Sequence, residues 1–509
     1  MTVEHPHREQ WATRAGFLLA AIGSAIGLGN IWRFPYVAYE NGGGAFLLPY
    51  LVALLTAGIP LLILEYTIGH RFRGSPPLSF RRLSRPAEAI GWWQVAICFV
   101  IAVYYAVIIA WAVRYTGFSV GLQWGDDPNT FLFGDFLQLA DEPGIVSSYV
   151  SGVAWPLIAV WVVTLGVLFF GVRRGIERAN KIFIPLLVLL FGALVVRAVT
   201  LDGAEVGLDA LFTPDWSAIT DGSVWVAAYG QIFFSLSVGF GIMITYASYL
   251  KRRADLTGSA LVAGFANSSF EILAGIGVFA TIGFMATASG VAVNEVATSG
   301  IGLAFVAFPT IISSLPAAQD LFGVLFFGSL VIAGLSSLIS IVQVVVSTVQ
   351  DRWGMARERA VMLVGGAAAL VSVVLFPTGE GLYILDAADH FINQYGVALA
   401  ALVVVVVVGW LLRRLPHQRA HANQTSAVPL GRWWLIVLGV ITPIVLGWMM
   451  YDSLRQEFAE NYEGYTTGFL LMAGWSVAIG AIVFGLVMSV FRWRAVEAEP
   501  AFTAEEGSR

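Results

Sequence analysis

One cysteine, Cys98, and six histidines are all that 509 residues offer by way of thiol and imidazole. A single thiol closes no disulfide within the chain and builds no Cys/His zinc spacing, so a disulfide scaffold and a zinc module are both excluded. Cys98 lies in an apolar run and reads as a small buried hydrophobe, not a redox centre. Charge is sparse too: Asp, Glu, Lys and Arg make up 12% of the chain and the net charge is −5. No Lys/Arg-rich stretch is interleaved with aromatics, so nucleic acid is not expected as a partner. There is no phosphate-cradling loop, nucleophile–base pairing or His cluster, and the glycine-rich run at 23–30 follows no strand. An enzyme is therefore not expected, nor an organic cofactor.

What the chain has in abundance is apolar length. It is 58% hydrophobic with a mean hydropathy of +0.78, more than a water-facing fold can hide, so lipid is the solvent for much of it. A bilayer core of about 30 Å takes roughly 20 residues of helix. Runs of that kind recur at 11–37, 43–69, 90–121, 151–171, 180–200, 223–250, 257–287, 320–350, 358–376, 382–412, 431–452 and 464–492. An all-α integral membrane fold with twelve transmembrane spans is expected. Residues 1–10 are polar, and the run after them contains Asn30 and Arg33 without a small-residue cleavage pattern, so it reads as a retained first span. Arginines gather in alternate connections, such as Arg71, Arg73, Arg81, Arg82 and Arg85, while the others carry carboxylates such as Asp126, Asp127, Asp202 and Asp209. The positive-inside rule then places both termini in the cytoplasm of a multi-pass cell-membrane protein.

Two spans carry glycines that a plain lipid-facing helix does not select. The first reads Gly23-Ser24-Ala25-Ile26-Gly27-Leu28-Gly29-Asn30 and the sixth Ser235-Leu236-Ser237-Val238-Gly239-Phe240-Gly241. Glycine costs about 1 kcal/mol in a helix interior, so clusters at mid-membrane depth indicate local unwinding. Close packing through small residues accounts equally well for one such cluster. Two, each in the first span of a half, point to an inverted repeat with broken helices around a central site. Unwinding frees carbonyls for a cation and turns half-helix N-termini toward an anion. Asn30, Ser235, Asn267, Ser336 and Ser337 supply oxygen at membrane depth, the ligand type a small hard cation takes. Singly, each is more often satisfied within its own helix; only convergence makes a site.

At these residues the chain resembles the neurotransmitter:sodium symporter family, in particular its bacterial amino-acid branch of leucine-transporter type. The matching segments are Trp11-Ala12-Thr13-Arg14, Gly29-Asn30-Ile31-Trp32-Arg33-Phe34-Pro35, Glu40-Asn41-Gly42-Gly43-Gly44-Ala45-Phe46, Gly230-Gln231-Ile232-Phe233-Phe234, Ile244-Thr245-Tyr246-Ala247-Ser248-Tyr249 and Ala333-Gly334-Leu335-Ser336-Ser337. The resemblance implies the leucine transporter fold: a 5+5 inverted repeat in a core at 11–412, two further spans at 413–493, a cytoplasmic N-terminal segment at 1–10 and a cytoplasmic tail at 494–509. It implies two sodium sites. The first comprises the Ala25 carbonyl, Asn30, Ser235, Asn267 and the substrate's own carboxylate; the second, the carbonyls of Gly23, Ile26 and Ala333 with the hydroxyls of Ser336 and Ser337. Serine stands at 235 and 336 where the bacterial pattern has threonine, which keeps the hydroxyl.

The resemblance also implies a substrate site. Tyr105 matches the tyrosine that holds the substrate carboxylate, with Ser24, Ala25 and Gly27 beside it at the break. Ile101, Ile108, Phe234, Ser235, Ser237, Phe240, Ser337 and Ile341 surround the rest. That pocket is mostly apolar and suits a neutral aliphatic, methionine-like or aromatic amino acid. Monoamine-carrying relatives place an aspartate at Gly27; glycine leaves room for a carboxylate on the substrate and disfavours amines. Glu271 matches a glutamate of chloride-independent members, where it substitutes for chloride and, being buried, makes proton counter-transport feasible.

Gates follow from the same resemblance. Arg33 and Asp389 match an outer pair, with Phe240 closing beneath and the segment 292–318 as an outer lid. Arg8 and Asp351 match an inner ion pair, with Trp11 packing under it and Tyr249 hydrogen bonding nearby. Gly175 and Pro185 match a Gly-x9-Pro motif of the fifth span that unwinds to admit water to the second sodium site. The expected function is a sodium-coupled symporter importing a neutral amino acid by alternating access without chloride. A sodium-dependent amino-acid sensor with little transport is the rival, and a channel a weaker one. The sequence does not fix the oligomeric state, for which a homodimer is considered.

Overall fold

The computed structural model describes residues 8–144, 148–491 and 493. The N-terminal residues 1–7 and the expected tail at 494–509 lie outside the described residues. Among the described residues there is no strand, only the isolated bridges Gly43–Pro214 and Tyr149–Thr378. Everything else that is regular is helix, as apolar surroundings demand of a backbone whose polar groups must be satisfied within the segment.

Helices α1 (Arg14–Ala25) and α2 (Leu28–Glu40) meet at 57° across a two-residue break. Thr13 caps α1 by accepting the Gly16 N–H. Ile26 and Gly27 are extended, and Asn30 turns back to accept the Gly27 N–H at 2.9 Å, which starts α2. The chain continues through α3 (Gly44–Phe72), the short α4 (Pro76–Leu83), α5 (Arg85–Phe118), α6 (Ser151–Phe169), α7 (Val172–Ala198) and a short helix α8 (Ala204–Phe212).

The second half opens with another break. Helix α9 (Gly222–Ser235) stops, six residues run as irregular backbone, and α10 (Ile242–Ala247) resumes. Gly239 (φ +87°) and Gly241 (φ +78°) occupy the left-handed region, and a Cβ on either meets the Val397 carbonyl at 2.9 Å or Pro76 Cγ at 2.6 Å, so glycine is required at both. Then come α11 (Leu256–Ser289), the shorter apolar helix α12 (Gly300–Ser314), α13 (Gln319–Trp353), α14 (Arg357–Leu375), α15 (Gly381–Leu411), α16 (Leu415–Asn423), α17 (Arg432–Gly464) and α18 (Thr467–Val490).

Ten of these helices are long and apolar enough to cross a bilayer, and the α1–α2 pair makes an eleventh. The sixth expected span, 223–250, is instead two pieces, each below that length. Burial ranks the helices. The apolar cores of α5 and α13 are 78% and 83% buried, whereas those of α7, α14 and α18 are 33% buried. The first two therefore form the centre, where both breaks lie against them, and the others face lipid.

Candidate functional site

The last carbonyls of a helix and the first N–H groups of the next have no partner of their own. At the α1–α2 break these opposite ends face one another. Ile26 N–H takes the Ile22 carbonyl, leaving those of Gly23, Ser24 and Ala25 for other partners. The Ser337 hydroxyl of α13 stands 3.4, 3.3 and 3.5 Å from the carbonyls of Gly23, Ser24 and Ile26, and Ser237 donates to the Ser24 carbonyl at 2.9 Å. Ser336 donates to the Ala333 carbonyl at 2.9 Å, one turn away on α13. Of the expected second sodium set, Gly23, Ile26 and Ser337 thus meet between α1 and α13, with Ser24 and Ser237 beside them, while Ala333 and Ser336 occupy the turn of α13 just before Ser337.

The expected first set gathers on the other side. Asn30 Nδ2 donates to Asn267 Oδ1 at 2.9 Å, and Asn267 Nδ2 to Ser235 Oγ at 3.1 Å. All three side chains are buried. Ala25, also expected in this set, is the buried last residue of α1.

The anion side lies at the start of α2. Leu28 N–H points at the Tyr105 hydroxyl, 3.3 Å away, so that hydroxyl keeps its own proton to donate. A Cβ on Gly27 would lie 3.2 Å from Tyr105 Oη and 3.3 Å from Ser337 Oγ. Ile101, Tyr105 and Ile108 follow at helical spacing on α5, as do Ala333, Ser337 and Ile341 on α13, so each set presents one face. Phe234 lies against Gly29, where a Cβ would come within 2.4 Å of its ring. Phe240 is buried, its carbonyl accepting from Cys98 Sγ at 3.2 Å. The lone cysteine is thus buried as expected, and it also holds the second break.

Glu271 is fully buried on α11, accepting from Gln231 Nε2 at 2.6 Å and from the Tyr50 hydroxyl, which also approaches Ser268 Oγ at 2.8 Å. Glu65 of α3 is likewise buried and accepts the Gly239 N–H at 2.8 Å.

The two ends of the molecule differ. At one end Arg8 Nη1 donates to both carboxylate oxygens of Asp351 at 2.8 and 2.9 Å, while Nε donates to Ser248 at 3.0 Å and the guanidinium lies over the Tyr249 ring. Trp11 is buried, its indole donating to the Tyr246 carbonyl at 2.9 Å. Tyr249 Oη accepts from Gln343 at 2.8 Å. At the opposite end Arg33 is exposed and stacks on Phe234, while Asp389 accepts from Tyr104 at 2.7 Å and Asn393 at 2.9 Å. Arg33 and Asp389 form no ion pair among the described residues. The segment 292–318 expected as a lid contains α12, whose Phe305 packs on Trp32 and Trp111. Gly175 sits in a widened first turn of α7, Val172–Ile176, with no room for a side chain: a Cβ would fall 1.9 Å from the Val167 carbonyl. Pro185 lies inside the same helix.

A model of the sodium:neurotransmitter symporter family matches residues 8–135 and 126–496. The chain belongs to the sodium:neurotransmitter symporter family. It is 42% identical over 481 residues to an uncharacterized sodium-dependent transporter of Methanocaldococcus jannaschii, covering 94% of this chain and 97% of that protein. It is 30% identical to the sodium-dependent serotonin transporter of Drosophila melanogaster over 525 residues, 95% of this chain and 82% of that one. The crystal structure of MhsT in complex with L-phenylalanine superposes with a TM-score of 0.73 at 34% identity, covering 88% of this chain and all of that one. The fold is therefore of leucine-transporter type, and the family is one of transporters, not enzymes.

In this symporter several polar partners escape a reading by motif. Tyr50 and Gln231 at Glu271, Glu65 at the second break, and Gln343, which receives Arg357 at 2.8 Å while donating to Tyr249, all act across long sequence distances. Glu9 accepts the Val172 N–H at 2.7 Å and pairs with Arg357, and Glu177 accepts from Ala12 N and Thr13 Oγ1 at 2.7 and 2.8 Å. The signal available for Glu65 was its charge within an apolar run; Glu177, among Arg173, Arg174, Arg178 and Lys181, carried no such mark.

Proposed function

We propose that this symporter imports a neutral amino acid, aliphatic, methionine-like or aromatic, coupled to sodium at two sites and independent of chloride. The observation that carries the reading is the meeting of the α1 carbonyl end with the α2 N–H end beside two clusters of buried oxygens. One spot thereby favours cations and a carboxylate together. The amino acid in the MhsT complex supports the substrate class. Sodium is cargo. Bound at the first site, it neutralises the substrate carboxylate that completes its own coordination, which makes the two bind together. Tyr105 donates to that carboxylate, and the apolar faces of α5 and α13 take the side chain.

Glu271 supports chloride independence, because a fixed carboxylate within the Tyr50 and Gln231 hydrogen bonds supplies the negative charge near the first site. The latched Arg8–Asp351 pair and the unpaired Arg33 support an inner side closed and an outer side not yet closed, the stage at which substrate enters. Closure would bring Arg33 toward Asp389, and release would need the inner latch and the first turn of α7 to open.

Reconstituted in liposomes, the protein should accumulate leucine, methionine, alanine or tryptophan under an inward sodium gradient and not a monoamine. Asn30→Ala should abolish that uptake. Sodium-dependent binding without accumulation would favour a sensor, and absence of both would reopen the substrate class.

A further inference from the structure

Asn180 lies on α7 midway between Gly175 and Pro185 and is fully buried. Its Nδ2 donates to the Ile176 carbonyl at 3.0 Å, which fixes the amide; its Oδ1 has no hydrogen-bond partner among the described residues. That oxygen faces the last turn of α1. It would lie 2.4 Å from a Cβ on Gly23, with Ile184 2.7 Å away on the same side. A Cβ sits about 3 Å from its own carbonyl oxygen, so Oδ1 is within one water's reach of the Gly23 carbonyl. Ser24 Oγ, on the next residue, is likewise buried without a partner. A buried acceptor left open is costly, and the Gly23 carbonyl beside it only accepts as well. What satisfies oxygen facing oxygen is a cation or a water that donates to both.

We propose that Asn180 Oδ1 is an additional oxygen of the second cation site, holding a hard monovalent cation through its hydration water. The proposal rests on the sodium reading given above and extends it to α7. Because Asn180 stands at the centre of the Gly175–Pro185 segment, the same amide ties occupancy of the site to the helical state of α7. With the cation present the helix is held closed; unwinding swings the oxygen away and the site weakens.

The test is the sodium dependence of labelled amino-acid binding to the purified full chain, with hydrogen exchange of residues 172–186 measured at high and zero sodium. Asn180→Ala should raise the sodium concentration for half-saturation about tenfold or more, leave amino-acid affinity unchanged at saturating sodium, and abolish sodium protection of 172–186. Asn180→Asp, which keeps an oxygen there, should restore sodium affinity to within about twofold of the parent. Unchanged sodium dependence in Asn180→Ala, or no recovery in Asn180→Asp, overturns the proposal. So does a lowered melting temperature in Asn180→Ala with sodium protection intact, which marks a packing role. If the alanine variant does not fold, Asn180→Leu, which fills the space without an oxygen, carries the same comparison. An unsubstituted chain that binds its amino acid without sodium would instead defeat the sodium reading itself.

Discussion

Gly27 decides whether the cargo brings its own carboxylate. A Cβ there would already touch Tyr105 Oη and Ser337 Oγ, and an aspartate would put a second negative charge where the substrate's is proposed to lie. Like charges brought together in a desolvated site cost several kcal/mol. Gly27→Asp should therefore weaken sodium-dependent amino-acid binding by about a hundredfold or more; retention to within about threefold would place the carboxylate elsewhere. Glu271 makes a complementary prediction. Replacing it by serine removes the carboxylate from Tyr50 and Gln231, and uptake should then fall in chloride-free buffer and recover when chloride is returned. The unsubstituted chain should show equal uptake in both. Asn30, Ser235 and Asn267 could be picked out beforehand because they stand in glycine-rich or polar interruptions of apolar runs. Tyr50 and Gln231 could not, since their partner Glu271 lies 221 and 40 residues away and spacing carries no mark of such a pair.

At the scale of elements, glycine identifies the breaks and hydropathy misplaces the ends. Both interruptions fall on the glycine clusters, and the left-handed backbone at Gly239 and Gly241 explains why those residues and no others suffice. Helix α7, however, starts at Val172 and not near 180, because Arg173, Arg174 and Arg178 lower hydropathy without ending a helix. Helix α17 stays helical to Ala459, past the expected 452, for the same reason: Asp452, Arg455 and Glu457 leave the apolar zone while the backbone continues. Hydropathy reports where lipid ends; hydrogen bonding decides where the helix ends. The start of α7 also bears the element-scale prediction. Alanine usually stabilises a helix relative to glycine by about 1 kcal/mol, but at Gly175 its Cβ would fall 1.9 Å from the Val167 carbonyl. Overpacking against backbone should win. Gly175→Ala should destabilise the protein by about 1–3 kcal/mol and slow transport more than it weakens substrate binding, which uptake and equilibrium binding on one preparation would separate.

Across the whole molecule, the latched side is tied together by more than the Arg8–Asp351 pair. His70, at the end of α3, has Nε2 3.1 Å from the Lys251 carbonyl and Nδ1 2.9 Å from His421 Nε2 on α16. A carbonyl only accepts, so His70 carries its proton on Nε2, its Nδ1 accepts, and His421 donates from Nε2. Two rings thereby join α3, the segment after α10 and the connection to the last two spans, provided that both imidazoles stay neutral. Burial, then the neighbouring His70 and Arg71, push the His421 imidazole down to about 3. Its unfolded value is about 6.5. Between those values the unfolded chain binds a proton that the folded chain does not. The contribution to stability is therefore fully present above about pH 6.5 and is lost as pH falls toward 3, by about 2 kcal/mol at pH 5. His421→Gln keeps a donor for His70 and removes the titration. In detergent or nanodiscs, the fall in melting temperature between pH 7 and pH 5 should be distinctly smaller in His421→Gln than in the parent. Equal slopes would mean that His421 is protonated in the fold and that the ring-to-ring hydrogen bond does not hold the three segments together.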